Sequence, residues 1–233
     1  MSGHGSSQAS RTSRRRRRRR RRGGAKLDNN PVAPVSGILA LAKEGHGFLR
    51  DPKRDCQIQP TDPFVHASLV SKFGLRPGQF IDAHIGKATR GPAPMVATID
   101  KVEGLDPEKA RDLPRIEDLT VIDPDRRVQL CGGVHEDLPL PAIALVTPIG
   151  TGQRALIVAP PRTGKTVILQ KLANAMTTFH PDVKLLVCLV DERPEEATDM
   201  KRAVKGEVYA STNDLPAANH VAMTELVTNR AKR

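Results

Sequence analysis

The sequence predicts a disordered basic tail, then a small all-β barrel of the OB or cold-shock type, then an α/β region with a parallel sheet and a phosphate-binding loop. Three observations predict this. Residues 1 to about 33 are dominated by Ser, Gly, Arg and Asn, with nine consecutive arginines from Arg14 to Arg22. From Val35 to about Val102, short apolar stretches recur between turn signals, as in small β folds. From Pro141 onward, apolar runs alternate with helical periodicity, which argues for a parallel sheet.

The tail cannot bury enough apolar surface to offset chain entropy, so disorder is expected over 1–33. Arg11 and the Arg14–Arg22 run carry ten charges of the formal net +11, which leaves about +1 for the rest. The basic character is therefore local. Arginines that neutralise phosphates release counterions, so one reading is a non-specific, salt-sensitive arm for nucleic acid. The other is a solvated tail that aids solubility or acts as a localisation signal. No apolar run is long enough to span a membrane, and no charged-then-apolar N-terminus suggests a signal peptide. Cys56, Cys131 and Cys188 are odd in number and far apart; they form neither a disulfide framework nor a zinc pattern. A reducing, cytoplasmic setting follows as the expectation.

The barrel is expected over 34–106. Its strands read from GILALA, GHGFLR, PFVHASLV, LRPGQFIDAHIG and MVATIDKV, with one helical turn at SLVSKF. About 65 residues suit a five-stranded OB-type barrel. Residues 107–140 are rich in Pro, Asp, Glu and Arg. A short helix at Pro107–Asp112 and otherwise an extended linker are expected there, because the prolines discourage regular structure.

In 141–233, RALIVA (154–159) reads as a buried parallel strand and Lys165–Thr178 as a helix. KLLVCLV (184–190) reads as a second strand, with a helix from Pro194 to about Lys205 after it. EVYAS reads as a third strand, and a helix follows from Pro216 to Arg230. Between the first strand and its helix lies APPRTGKT, Ala159–Thr166. It ends like a phosphate loop, but Ala159 stands where the usual pattern has glycine. In a strand–loop–helix setting the amides and the helix N-terminus point at phosphate. Gly164 then admits the close approach, Lys165 reaches the terminal phosphates, and the Thr166 hydroxyl meets magnesium. The bland alternative is a strand-to-helix turn with a helix-starting threonine.

Asp191, Glu192 and Arg193 come off the end of the second strand, where ligands of parallel sheets sit. A carboxylate there can hold magnesium or orient water. Acidic residues near a helix N-terminus are favourable in any case. That accounts for Glu195 and Glu196 better than for Glu192.

Two long segments carry a resemblance: LVTPIGTGQRALIVAPPRTGKTVILQKLANAM and VCLVDERPEEATDMKRAVKGEVYASTND. Together they closely resemble the Rho family of bacterial transcription termination factors. The resemblance runs back through DPEKARDLPRIEDLT, RPGQFI and GHGFLR and covers about residues 35–233. It implies a RecA-type P-loop domain, ATP and Mg2+ as cofactors, and a hexameric RNA-dependent ATPase and helicase. That machine binds nascent single-stranded RNA, translocates, and releases the transcript from RNA polymerase. In this family the phosphate loop also begins Ala-Pro-Pro, which accounts for Ala159.

Carried over residue by residue, the resemblance assigns the nucleotide pocket to Gly150, Thr151, Gly152, Gln153, Arg154 and Ala155, with Arg162, Thr163, Gly164, Lys165, Thr166 and Val167. Lys165 and Glu192 take catalytic roles, Thr166 holds Mg2+ through ATP, and Arg193 lies beside the nucleotide. RNA contacts fall on Gly45, His46, Gly47, Phe48, Leu49, Arg50, Asp62, Pro63 and Phe64. His46 replaces an aromatic of the family and offers less stacking surface. A third contact patch falls near Gly91–Pro94, with no aromatic in this chain. On spacing alone Phe48 and Phe64 also suit core packing; the resemblance turns the reading toward base stacking. The family's magnesium-positioning aspartate, arginine finger and central RNA loops come later than the helix ending at ELVTNRAKR. The P-loop domain of 141–233 is therefore expected to be partial, its sheet edge exposed, and the chain by itself without RNA-stimulated ATPase. The alternative function is an RNA-binding protein that binds nucleotide without productive hydrolysis.

Overall fold

A computed structural model describes residues 32–86, 93–132, 138–160 and 162–233. The arginine-rich segment and its expected disorder lie outside the described residues.

Five strands close a barrel in the order β1-β2-β3-β5-β4. They are β1 (Ala33–Leu41), β2 (Gly47–Arg50), β3 (Phe64–Val65), β4 (Phe80–Gly86) and β5 (Met95–Val102). β1 pairs antiparallel with both β2 and β4, β4 with β5, and β2 with β3; β3 closes against β5 in parallel. Leu39, Leu49, Val65, Ile81, Val96, Ile99 and Val102 fill the interior; alternation turns them inward, and two irregularities in the β4–β5 ladder reset its phase along β5. Between β3 and β4 runs α1 (Ala67–Phe73), capped by the His66 side chain, which accepts from Ser68 N, and ended by left-handed Gly74.

The expected helix after the barrel is α2 (Pro107–Arg111), with Asp106 capping Glu108 N and proline in the first turn. Its Ala110 belongs to the barrel core, so this start of the linker packs with the barrel. The Arg76 guanidinium donates to the carbonyls of Arg111, Leu113 and Pro114 and holds the exit of α2. The chain from Pro114 to Asp125 is largely exposed, with a single 3-10 turn at Ile116–Asp118.

The second half contains α3 (Pro139–Val146), α4 (Lys165–Phe179), β6 (Leu186–Glu192), α5 (Pro194–Ala203), β7 (Glu207–Thr212) and α6 (Ala217–Ala231). β6 and β7 pair in parallel, and α4, α5 and α6 fall within a few residues of expectation. Two things differ. Pro139–Val146 is helical, with prolines in its first turn where the missing N–H costs nothing. The 154–159 segment is not a strand: Leu156 is 86% and Val158 83% exposed. An apolar strand is stable inside a sheet only when a neighbour takes its backbone groups. Among the described residues, β6 and β7 pair only with each other, and 154–159 has no ladder partner.

The two halves are sealed together. Ile38, Cys56, Tyr209, Met223, Leu226 and Val227 form one buried cluster, with Ala40, Phe80 and Leu186 against it. Gly78, at φ +84°, lies so close to α6 that a Cβ would come within 2.3 Å of the Asn229 carbonyl carbon. Arg230 reaches across: its guanidinium donates to both Glu103 carboxylate oxygens at 2.6 and 2.7 Å and lies 3.4 Å from Glu207. The Arg230 and Glu103 side chains are only 9% and 12% exposed. Burial in this seam, followed by the charges of Asp55 and Asp51, pushes the Cys56 thiol up to about 12.

Removing one partner of a buried ion pair strands the other. Arg230→Ala is therefore expected to lower the free energy of urea unfolding by about 3 kcal/mol. Cys56, which should resist alkylation near about pH 8 in the native chain for want of thiolate, should become reactive in the variant. Unchanged stability and unchanged labelling would remove the seam's ion pair from the account.

Candidate nucleic-acid and nucleotide sites

The first site is built on β2 and β3. Alternation sends Leu49 and Val65 into the barrel and leaves Phe48, Arg50 and Phe64 on the outer face. Phe48 and Phe64 are direct cross-strand partners, the pairing that brings side chains closest on one sheet face. Their rings lie 5.6 Å apart, edge to face. His46, at the end of the β1–β2 turn, completes a cluster at 5.6 Å from Phe48 and 5.2 Å from Phe64. All three rings are half-buried. They are a surface cluster, not part of the barrel core.

Arg50 lies over the Phe48 ring at 5.3 Å and is paired with Asp62. Asp62 is buried and also accepts from the Gln59 amide at 2.8 Å, so the loop before β3 holds the arginine in place. Pro63 is half-buried between Asp62 and Phe64, and its carbonyl accepts from Leu49 N at 3.0 Å.

The other expected contacts have structural duties. Leu49 is 2% exposed and belongs to the core. Gly47 is buried, and a Cβ there would meet a Leu39 methyl at 2.7 Å and the Ala40 carbonyl at 2.9 Å. Gly45 turns the hairpin at φ +84°. In the expected third patch, Gly91 and Pro92 lie outside the described residues.

The second site is a cavity of about 480 Å³ at the N-terminus of α4, lined by Ala159, Pro160, Arg162, Gly164, Lys165, Thr166, Val167, Glu192, Arg193 and Glu196. Pro161 of the loop lies outside the described residues. Gly164 has φ +91°, and a Cβ there would meet nothing. No side chain caps α4, so the first-turn amides are open to an anion. A left-handed Asp191 and a bulge between Val190 and Glu192 turn the end of β6, the kind of irregularity that re-aims a side chain. Glu192 lines the cavity and lies 3.8 Å from the Lys165 ammonium. Both groups are partly exposed, so the pair is loosely held and the lysine can exchange it for a phosphate. The Thr166 hydroxyl lies 3.4 Å from a Glu196 carboxylate oxygen. Thr163 is exposed, and its hydroxyl donates to the Pro160 carbonyl at 2.7 Å, closing the loop on itself.

Glu196 is the residue that sequence reasoning missed, by crediting it to the helix dipole alone. Its position in the first turn of the helix that follows Glu192 was the available signal.

Gly150, Thr151, Gly152, Gln153, Arg154 and Ala155 do not line this cavity. Gly150 and Gln153 face a separate groove with Pro124–Arg127. The Thr151 amide donates to the Arg126 carbonyl at 2.8 Å, and Gln153 Oε1 accepts from Gly150 N at 2.8 Å. The turn is thus tied to 124–128, and the unpaired 154–158 segment separates it from the loop.

Comparison with known proteins divides the chain along the same lines. Residues 35–108 match the Rho termination factor RNA-binding domain, and residues 140–231 match the nucleotide-binding domain of the ATP synthase alpha/beta family. The transcription termination factor Rho of Cereibacter sphaeroides is 44% identical over 200 residues, covering 84% of this chain and 47% of the relative. That of Aquifex aeolicus is 42% identical over 215 residues, covering 90% and 49%. That of Streptomyces coelicolor is 42% identical over 201 residues, covering 85% and 46%. The chain spans about half the length of these curated relatives.

The glycines of the first site separate packing from contact. Gly47→Ala should destabilise the barrel by about 1–3 kcal/mol through overpacking, measured by thermal or urea unfolding. Gly45→Ala should cost only about 1–2 kcal/mol, the strain of a left-handed backbone. Equal and negligible losses would contradict the packing assigned to Gly47.

Proposed function

We propose that this chain, which belongs to the family of transcription termination factor Rho, binds single-stranded RNA on the outer face of β2 and β3 and binds and hydrolyses ATP at the α4 cavity. In the wider reading these are parts of a cytoplasmic RNA-dependent ATPase and helicase that works as a homohexamer. That machine moves along a nascent transcript and frees it from RNA polymerase. The observation that carries the proposal is the outward stance of the Phe48–Phe64 pair. An aromatic pair on a barrel surface, beside a fixed arginine, suits base stacking. A core pair would not be available.

At the cavity, Lys165, Arg162 and Arg193 supply positive charge, and the open α4 amides supply donors for phosphate. The donor set fits Mg2+ as well. A threonine hydroxyl and a carboxylate, Thr166 and Glu196, are hard oxygen ligands that can share the ion with phosphate oxygens. The bound ion would neutralise charge on those phosphates. Glu192 is the carboxylate placed to accept a proton from an attacking water.

A second reading is nucleotide binding without turnover. The displacement of Gly150–Ala155 from the cavity favours it. Phosphate release from the wild-type chain separates the two: under the main reading it rises with RNA and is lost in Glu192→Gln, whereas under the second, which agrees with the expectation that this chain by itself lacks RNA-stimulated ATPase, it is absent while nucleotide still binds.

The two sites should fail independently. Phe48→Ala and Phe64→Ala are each expected to weaken single-stranded RNA binding by about 10- to 100-fold, the usual worth of one stacked base, with nucleotide affinity retained. Lys165→Ala should do the reverse. Fluorescence titrations with RNA and with an ATP analogue measure both; RNA affinity indifferent to both aromatic variants would sink the barrel-face reading.

A further inference from the structure

We infer that Asp55 is a positioning residue that couples occupancy of the β2–β3 aromatic face to the affinity of the α4 cavity; the inference rests on the function proposed above. Arg50, the last residue of β2, is followed directly by a compact turn. Asp51 caps it by accepting from the Lys53 amide at 2.9 Å, and Pro52–Arg54 form one 3-10 turn. Asp55 and Cys56 then both adopt left-handed backbone, at φ +54° and +56°. Two such non-glycine residues in succession persist only where the surroundings fix them. The Asp55 and Cys56 amides donate back to the Pro52 and Asp51 carbonyls at 3.2 and 3.1 Å, so the segment behaves as one short rigid piece.

That piece is fastened to the other half of the chain. The Lys201 ammonium on α5 meets both Asp55 carboxylate oxygens, at 2.7 and 2.8 Å. The Ala210 amide on β7 donates to Asp55 Oδ1 at 3.0 Å. Beside it, Cys56 packs into the seam with Tyr209 and Met223. One carboxylate thus ties the end of the RNA-facing strand to two elements of the nucleotide half.

Both elements lead to the cavity. α5 begins one residue after Arg193 and carries Glu196 in its first turn, and both residues line the cavity. β7 runs in register with β6: Ala210 pairs with Leu189, and two residues on Thr212 pairs with Glu192. The Asn213 amide also donates to the Glu192 carbonyl at 3.1 Å. A shift of the turn after Arg50 is therefore passed to the elements carrying Glu192, Arg193 and Glu196. An RNA base stacked beside Arg50 restricts that turn, and the restriction reaches the cavity through Asp55. The mechanism predicts positive linkage, with RNA and nucleotide each tightening the other by the same factor.

The test uses the full chain, a short single-stranded RNA of mixed sequence, and a fluorescent non-hydrolysable ATP analogue. RNA and nucleotide affinities are first measured separately for wild type, Asp55→Asn and Lys201→Met. Asparagine tolerates the left-handed backbone and keeps an acceptor for the Ala210 amide, so only the charge pair is lost. In wild type, saturating RNA is expected to tighten the analogue by about fivefold or more, within the usual range of coupling. In both variants the factor should fall at least about twofold below the wild-type value, because the α5 route is lost while the Ala210 bond remains, with each separate affinity within about twofold of wild type. Wild type without any RNA effect, or variants that keep the full factor, overturns the inference. A melting temperature that falls while the factor persists assigns Asp55 a structural role only and also overturns it. Failure of RNA or nucleotide to bind wild type at all shows up in the separate titrations and strikes the proposed function instead.

Discussion

The seam where Ile38 and Phe80 of the barrel meet Tyr209, Met223, Leu226 and Val227 sets the geometry of both candidate sites. The barrel is small, and among the described residues the β6–β7 sheet has two strands; two strands alone are marginal in water without something to pack on. Packing against the barrel supplies that support. The close approach at Gly78 leaves no room for a side chain, and Arg230 satisfies the Glu103 carboxylate inside the contact. The burial that stabilises the seam also raises the Tyr209 phenol, with help from the hydrogen bond to Glu207, and raises the Cys56 thiol. Both groups stay neutral across the physiological range, so the charge inside the seam is that of the Arg230–Glu103 pair.

The two sites use opposite electrostatic designs. On the barrel, Arg50 has its carboxylate partner, and Asp62 in turn is held by a backbone amide. The arginine is fixed, and it serves geometry as much as charge. At the cavity, Arg162, Lys165 and Arg193 gather with Glu192 and Glu196 around an uncapped helix end. The Lys165–Glu192 pair is loose and partly exposed, so the lysine is free to exchange its carboxylate for another anion.

Much of this was legible in the sequence because local physics dictated it. Short apolar stretches between turn signals, such as GHGFLR and MVATIDKV, marked the barrel strands. The expected helix at Pro107–Asp112 is α2, and Pro194 announced α5. The GKT tripeptide at a helix start marked the cavity. What failed was long-range. RALIVA has the apolar content of a buried strand, but a strand exists only with a neighbour, and no local signal states whether that neighbour is there. The Pro139–Val146 helix hid behind prolines that were read as breakers and are helix starters. Phe48 and Phe64 were ambiguous between core and surface until register with Leu49 and Val65 decided the face. The Asp55 tie, which spans more than a hundred residues of sequence, has no local signature at all.

The central claim is that one chain holds an RNA face on the barrel and a nucleotide cavity on the α/β half. Hydrogen exchange with peptide-level readout, on the full chain with each ligand in turn, tests it most directly. RNA should protect the peptides spanning 45–50 and 62–66. The ATP analogue with Mg2+ should protect those spanning 159–167 and 190–197. RNA protection that appears only in the α/β half, with the barrel peptides unchanged, would contradict the account.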